Sequence, residues 1–180
     1  MSTAVLSIGS NLGDRLAHLQ SVVSGMAGSD GRIVAISPVY ETDAWGGVEQ
    51  DAFLNAVLIA EDPQLDCYGW LRRGQELERA ADRVREQHWG PRTLDVDIVT
   101  CHDGDRQVVS GDAELTLPHP LAHERAFVMV PWLAVDPDAT LTVDGADEPV
   151  SRLLDALSDT DRDGVRRTES ELAPTDAGSR

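Results

Sequence analysis

The pattern of apolar and polar residues divides the first 60 residues of the chain into a strand, a helix and two further strands. Residues 3–9 form an apolar run that predicts a buried strand ending in a Gly-Ser-Asn turn. Asp14 is a suitable N-cap for the helix that follows, in which apolar residues recur at helical spacing as far as Met26. β-Branched and aromatic residues then predict two more strands, over residues 33–40 and 53–60.

The next segment repeats the helix-then-strand pattern. Asp62 followed by Pro63 predicts a helix start, because aspartate caps the first turn and proline is tolerated at its first position. We expect this helix to end near residue 81, and a strand to cover residues 93–100. The order βαββαβ predicts an α+β, ferredoxin-like sandwich. Two short helices are expected further on, over residues 121–134 and 149–158.

The chain changes character after residue 158. From residue 159 it is polar and charged, without apolar periodicity. We therefore expect one domain over residues 1–158 and a polar C-terminal extension, partly disordered, over residues 159–180.

Composition excludes several classes of function. All 15 basic residues are arginine, which excludes a Walker A lysine and a pyridoxal Schiff base. The net charge of -17 disfavours binding to nucleic acid or anionic membranes, and no apolar run is long enough to span a bilayer. Cys67 and Cys101 lie far apart without a CxxC pair, so neither a disulfide nor a thiolate zinc site is expected. We expect a cytoplasmic monomer.

Asp95 and Asp97 are the first candidates for chemistry. In a strand their side chains share one face, while Leu94, Val96 and Ile98 face the core. Two such carboxylates can hold a pair of magnesium ions, whose remaining ligands are commonly substrate phosphates. The alternative is a half-exposed strand that binds no metal and carries acidic side chains on its solvent-exposed face.

Arginines concentrate just before this strand. Six of the fifteen lie within residues 72–92, where a planar guanidinium can bind phosphate through two hydrogen bonds. Arg83, Arg85 and Arg92 belong to the loop side and favour that role, whereas the remainder fit a solvated helix face with ion pairs. On the same helix, Gln75 and Glu78 extend the apolar stripe toward the loop, where they either reach a metal site or face solvent.

Several aromatic residues occupy positions that suit a flat ligand. Phe53 precedes Asn55, whose amide could read the edge of a heteroaromatic ring, and Trp45 and Trp89 lie in glycine- or arginine-containing loops. Each of them could instead be an ordinary core residue. His119 lies between two prolines and is interpreted as a rigid-loop hydrogen-bond donor to phosphate or backbone, since a zinc site with His123 lacks a third ligand.

These motifs together resemble the 6-hydroxymethyl-7,8-dihydropterin pyrophosphokinases of folate synthesis. The most specific segment is Trp-Gly-Pro-Arg-Thr-Leu-Asp-Val-Asp-Ile at residues 89–98, followed by Leu-Thr-Leu-Pro-His-Pro at residues 115–120. The resemblance covers about residues 3–158. It departs at Asp43, where family members often have proline. The other similar segments are residues 7–14, 37–42, 53–56 and 124–127.

The resemblance implies a three-layer α/β/α sandwich and pyrophosphoryl transfer from MgATP to the pterin hydroxymethyl group. Asp95 and Asp97 would hold two Mg²⁺ ions, and loops 43–51 and 82–91 would close over the site with Trp45 and Trp89 as lids. The residues implied around ATP are Arg83, Arg92, His119 and Arg125 at the triphosphate, Gln75 and Glu78 nearby, and Ile98, Leu115 and Thr116 at adenosine. Those implied around the pterin are Phe53 and Phe127 as stacking rings, with Thr42, Asn55 and the Trp45 backbone at its edge.

Two other readings remain open at this point. A different magnesium-dependent nucleotide transferase could use the same pair of aspartates, and it would release pyrophosphate rather than AMP. A ferredoxin-like ligand-binding module could carry the acids for solubility alone, and its binding would not depend on magnesium.

Overall fold

The structure is a computed structural model that describes residues 1–28, 30–44, 50–81 and 93–175. The helices are α1 (Arg15–Met26), α2 (Cys67–Ala80), α3 (Ala126–Val135), α4 (Val150–Asp155) and α5 (Asp159–Asp163), with a 3-10 turn at Ala122–Glu124. The strands are β1 (Ser2–Ser10), β2 (Arg32–Ile36), β3 (Tyr40–Thr42), β4 (Phe53–Asp62), β5 (Asp95–Asp103), β6 (Arg106–Gln107), β7 (Ser110–Gly111), β8 (Thr116–Leu117), β9 (Thr140–Val143), β10 (Ala146–Pro149) and β11 (Val165–Arg167).

An antiparallel sheet of seven strands organises the described residues. Its order is β11-β3-β4-β1-β5-β6, with β2 also paired to β4. β1 is the central strand, hydrogen-bonded along its length to β4 on one side and β5 on the other. The sheet with its connecting helices confirms the predicted α+β, ferredoxin-like fold. Two small hairpins, β7-β8 and β9-β10, lie outside this sheet and were not predicted.

Helices cover both faces of the sheet. α1 and α2 pack on one face, where Leu6, Ile8 and Trp70 are fully buried in a first core. α3 and α4 pack on the other face, where Val5 and Val57 belong to a second core. This alternation along β1 is the period-2 pattern of a strand buried on both sides. The predicted three-layer α/β/α sandwich is confirmed.

The helix starts differ in how well the sequence predicted them. Asp14 caps α1 as expected, and its carboxylate accepts a hydrogen bond from the Ala17 amide. The prediction that Asp62 starts α2 is wrong, because Asp66 caps that helix. Asp62 is instead buried and paired with Arg73 at 3.1 Å. A capping pattern in sequence does not reveal that the carboxylate is paired with a cation in the middle of the following helix, eleven residues further along.

The predicted strand over residues 33–40 is interrupted. β2 ends at Ile36 and β3 begins at Tyr40, although both pair with β4. Pro38 lies in the gap and has no amide N–H to contribute to the ladder. Ser37 exchanges hydrogen bonds with the Val57 backbone beside it, and this contact keeps the interrupted segment against β4.

The expectation that the two cysteines stay unpaired is wrong. Cys67 is the first residue of α2 and Cys101 lies in β5, and the two form a disulfide across 34 residues of sequence. Because α2 packs on β5, the Cα atoms are 6.0 Å apart. Sequence separation could not predict this pairing, since the distance is set by the docking of the helix on the sheet.

The chain beyond residue 158 contains more structure than its polar composition indicates. α5 and β11 form there, and β11 pairs with β3 as the edge strand of the main sheet. Leu172 is 6% exposed and belongs to the first core. Gln20 on α1 donates to the Ala173 carbonyl and accepts from its amide. The division of the chain at residue 158 stays a prediction, and residues 176–180 lie outside the described residues.

We predict that Leu172→Ala lowers the free energy of unfolding by about 2–4 kcal/mol, because it removes a buried side chain and leaves a cavity. Val109→Ala is the control, since Val109 is 74% exposed and should change stability by less than about 0.5 kcal/mol. Urea denaturation of both variants measures the difference. Equal stabilities would contradict the packing of this segment against the core.

Candidate active site

The pairing register of three strands brings the predicted functional residues together. Gly9 on β1 lies opposite Asn55 on β4 and, on its other side, opposite Asp95 on β5. Adjacent strands are about 4.8 Å apart, so Asn55 and Asp95 are separated by about 10 Å across the glycine. The residue predicted to read an aromatic ligand and the first predicted metal ligand therefore lie abreast at one end of the sheet.

Position 9 has no room for a side chain and therefore requires glycine. A Cβ atom added to Gly9 would collide with the amide oxygen of Asn55 and approach the Phe53 ring to 3.6 Å. The missing side chain leaves the space that the Asn55 amide occupies. The sequence analysis considered Gly9 only as part of a turn. A glycine inside a strand pattern, which often marks close approach of other groups, was the available signal.

Asp95 and Asp97 share one face of β5, as predicted. Both are half-buried, while the intervening Val96 and the following Ile98 are buried in the first core. The carboxylates therefore lie on the α3 side of the sheet. Glu78 on α2 is buried and accepts a hydrogen bond of 2.9 Å from the Val96 amide, so it holds the backbone between the two aspartates.

Arg125 and His119 lie beside the second carboxylate. Arg125 Nη1 is 3.4 Å from Asp97 Oδ2, and His119 Nε2 is 4.0 Å from the same oxygen. Arg125 directly precedes α3, and its side chain is only 7% exposed. Its guanidinium also lies 5.5 Å from the centre of the Phe127 ring. One cation thus contacts the carboxylate on β5 and the ring predicted to stack on a ligand.

His119 is held neutral. Its burial, reinforced by the positive charge of Arg125, lowers the pKa of the imidazole to about 4, and the charge of Asp95 opposes this only in part. Nδ1 accepts a hydrogen bond of 3.1 Å from the Leu121 amide, so the proton resides on Nε2. His119 therefore presents an N–H donor toward the carboxylate face of β5, and its role as a donor to phosphate stays a prediction.

The residues predicted for the pterin edge are already in contact with one another. Asn55 Nδ2 donates to Thr42 Oγ1 at 2.5 Å, and both residues are buried. Thr42 pairs in register with Phe53, which is half-buried. Phe127 is also half-buried, so both rings keep part of their surface accessible.

The residues predicted near adenosine and the triphosphate are more widely spread. Ile98 and Leu115 are each 5% exposed and belong to the first core. Thr116 is exposed, and its hydroxyl donates to the Asp112 carbonyl at 3.0 Å. Gln75 is half-buried on α2. Their roles as ligand contacts stay predictions. Four further predicted residues, Trp45, Arg83, Trp89 and Arg92, lie outside the described residues.

The donor set fits magnesium. Asp95 and Asp97 supply hard carboxylate oxygens on one half-exposed face. Within the described ranges, no group of three or more His, Cys, Asp or Glu side chains could hold a metal ion. Magnesium commonly takes one or two carboxylates and completes its shell with water and substrate phosphates, so two carboxylates are enough.

We predict that His119 gives the metal-free protein an acid-side loss of stability. The unfolded imidazole binds its proton at pH 6.5, whereas the folded one stays neutral down to about pH 4. The contribution of His119 to the free energy of unfolding is therefore fully present above pH 6.5. It decreases by up to about 3 kcal/mol as the pH falls from 6.5 to about 4.

Urea titrations in EDTA between pH 4 and 7 would measure this loss. The variant His119→Gln should show a shallower slope over that range, because glutamine does not titrate. His18→Gln is the control, because it replaces a histidine on α1, which packs on the face of the sheet opposite the aspartates, and it should differ from His119→Gln in slope. A His119→Gln slope equal to that of wild type would contradict the assignment of a neutral His119.

The chain is similar in sequence to proteins of one known family. The sequence profile of the family described as 7,8-dihydro-6-hydroxymethylpterin-pyrophosphokinase (HPPK) matches residues 5–137. The 2-amino-4-hydroxy-6-hydroxymethyldihydropteridine pyrophosphokinase of Mycobacterium tuberculosis is 57% identical over 171 residues, covering 92% of this chain and 89% of the relative. The protein of the same name from Mycobacterium leprae is 56% identical over 178 residues, covering 96% and 92%.

The fold is also found in solved structures. A crystal structure of Plasmodium falciparum HPPK-DHPS with SDX-DHP has a TM-score of 0.58 and 13% identity, covering 86% of this chain and 43% of that one. This chain therefore spans less than half of that longer protein, and the likeness concerns the fold. Among the described residues, every helix is too short or too polar to cross a membrane.

The family profile and the two mycobacterial relatives together show that the chain belongs to the 7,8-dihydro-6-hydroxymethylpterin-pyrophosphokinase family.

Proposed function

We propose that this protein transfers the pyrophosphoryl group of ATP to the hydroxymethyl group of 6-hydroxymethyl-7,8-dihydropterin, releasing AMP, in folate biosynthesis. Family membership supports the activity and its class, an ATP-dependent diphosphotransferase. It also argues against the two alternatives left open by the sequence, a different nucleotide transferase and a non-enzymatic binding module.

The observation that carries this proposal is the register Asn55–Gly9–Asp95. It sets a hydrogen-bonding amide and a carboxylate on the same face of the sheet, about 10 Å apart across the glycine. A flat pterin held at Asn55 and Thr42 between the rings of Phe53 and Phe127 would point its hydroxymethyl group toward the aspartates. Transfer needs this alignment of the two substrates more than it needs covalent chemistry from the protein.

The reaction balances without a protein nucleophile. The hydroxymethyl oxygen forms a bond to the β-phosphorus of ATP, and the bond from that phosphorus to the oxygen bridging the α-phosphate breaks. AMP leaves with the bonding electrons, and the hydroxyl proton is released. Magnesium, held by Asp95 and Asp97, would neutralise phosphate charge. We propose two ions, because two carboxylates on one strand face can bracket a pair.

Two described side chains suit the phosphate that approaches these aspartates. Arg125 supplies a permanent positive charge beside Asp97. His119 is neutral and carries its proton on Nε2, so it can donate a hydrogen bond to a phosphate oxygen without adding charge. Fixed donors of this kind stabilise charge that develops during transfer. Arg83 and Arg92 are proposed to join them from loop 82–91, with Gln75 and Glu78 at the end of α2.

The same resemblance implies which residues contact adenosine and which tryptophans close over the site. Ile98, Leu115 and Thr116 are proposed to line the adenosine side. Trp45 and Trp89 are proposed to cover the pterin and exclude water, so that ATP is not hydrolysed.

We propose further that the protein acts as a cytoplasmic monomer on small-molecule substrates. Its net charge of -17 disfavours a nucleic acid or anionic membrane partner.

We predict that Asp97→Asn lowers AMP formation by about two orders of magnitude or more, because it removes a negative ligand and the partner of Arg125. Pterin-dependent AMP release, assayed with and without EDTA, is the measurement. Asp103→Asn is the control: it makes the same change on the same strand, at an exposed position about 20 Å further along. Near-normal turnover in Asp97→Asn, with the fold intact by circular dichroism, would reject the metal assignment.

We predict that Gly9→Ala raises the KM for the pterin about tenfold or more, because the new methyl group displaces the Asn55 amide. The KM for ATP should change less, since Asn55 is proposed to contact only the pterin. Gly111→Ala is the matched control, because a Cβ atom there meets nothing within 4 Å. An unchanged pterin KM in Gly9→Ala would separate Asn55 from substrate binding.

A further inference from the structure

The strand that carries Thr42 is fixed from both sides. β3 pairs with β4 on one edge and with β11 on the other, so Thr42 lies between Phe53 and Val165. The Asp43 amide donates to the Gly164 carbonyl at 3.1 Å, which extends this pairing by one residue. Thr168 closes the opposite end by donating to the Val39 carbonyl. The C-terminal segment therefore fixes the backbone of Thr42 on the side opposite β4.

Four charged side chains reinforce this arrangement and form what we call the stem chain: Arg15, Glu41, Arg166 and Asp43. Arg166 Nη2 lies 3.0 Å from Asp43 Oδ1 and 3.9 Å from Glu41 Oε1. Arg15 Nη1 lies 3.5 Å from the other oxygen of Glu41. Positive and negative side chains therefore alternate along the stem chain, and each carboxylate contacts at least one cation.

The stem chain connects two segments that are adjacent to the pterin residues. Arg15 Nη1 also donates to the Ala52 carbonyl at 2.9 Å, directly before Phe53. At its other end, Arg166 holds Asp43, directly after Thr42. The two anchored positions thus flank the residues that are proposed to stack on the pterin and to read its edge.

Strand geometry explains why anchoring of this kind orients Thr42. Successive side chains of a strand point to opposite faces, so Glu41 and Asp43 share the face that Thr42 does not use. Holding both carboxylates on that face directs the Thr42 hydroxyl to the other, where it accepts the hydrogen bond from Asn55. Without a cation, two carboxylates on one face would repel each other in a chain of net charge -17.

We propose that Arg166 and Arg15 are positioning residues for the pterin site, acting through Glu41 and Asp43 on Thr42 and Phe53. The inference rests on the proposed function for its kinetic readout. It assigns a role to a residue beyond position 137, where the match to the family profile ends. Neither arginine lies on the carboxylate face of β5, so neither is placed at the reacting phosphates.

Steady-state kinetics of Arg166→Gln tests this role. We expect the KM for the pterin to rise about three- to tenfold, a range set by the modest strength of exposed ion pairs. The kcat and the KM for ATP should stay within about twofold of wild type. Arg15→Gln should shift the same parameter in the same direction, and Arg166→Lys should restore part of the loss because it keeps the charge.

Arg167→Gln is the matched control. Arg167 is the next residue on β11, is exposed, and alternates to the other face, so its loss removes one charge without breaking the stem chain. We expect wild-type constants. A pterin KM that is unchanged in Arg166→Gln, or raised equally in Arg167→Gln, would overturn the proposal. A general loss of stability would instead lower kcat or the melting temperature without a selective change in pterin KM.

Amide hydrogen exchange separates this inference from the proposed function, because it needs no turnover. Peptides covering Tyr40–Thr42 should exchange faster in Arg166→Gln than in wild type or Arg167→Gln, since the strand loses its anchor. Unchanged exchange there would overturn the positioning role whatever the protein catalyses. If wild type released no pterin-dependent AMP, the proposed function would fail, and faster exchange would still support the stem chain as the anchor of β3.

Discussion

The antiparallel register of the three central strands is the constraint on which the site depends. A shift by one residue between β1 and β5 would turn Asp95 and Asp97 toward the first core, because side chains alternate with a period of two. The apolar residues that alternate with them, Val96 and Ile98, would move to the solvent-exposed face at the same time. Burial of the core thus fixes the register, and the register places the carboxylates. The stability of the sheet and the geometry of the site therefore have the same cause.

The site collects positive and neutral donors within a strongly acidic protein. The net charge of -17 would repel ATP at long range, so binding depends on local cations that face the phosphates. Arg125 is nearly buried beside Asp97, where water screens its charge poorly. Burial, reinforced by the charge of Arg125, lowers the pKa of His119, so that the pair presents one fixed charge and one neutral donor. The local environment determines the electrostatics of the site, and the total charge of the chain does not.

Segments remote in sequence build the surroundings of the site. α2 fixes β5 through Glu78 and through the disulfide from Cys67, and β11 fixes β3 from the far edge of the sheet. Glu78 and Cys67 approach β5 from the α2 side of the sheet, whereas the carboxylates lie on the α3 side. The sheet in this way transmits the packing of its outer elements to its central strands, because adjacent strands are linked by continuous ladders of hydrogen bonds.

The sequence by itself determined the order of the elements, the shared face of Asp95 and Asp97, and the family to which their motif belongs. The first two follow from periodicity over a few residues, and the family follows from the resemblance of the motifs at residues 89–98 and 115–120. Only the tertiary structure decided that Gly9 must lack a side chain, that Cys67 meets Cys101, and that Arg166 pairs with Asp43. Such contacts join segments far apart along the chain, and their distances are set by how the helices and edge strands dock on the sheet as a whole.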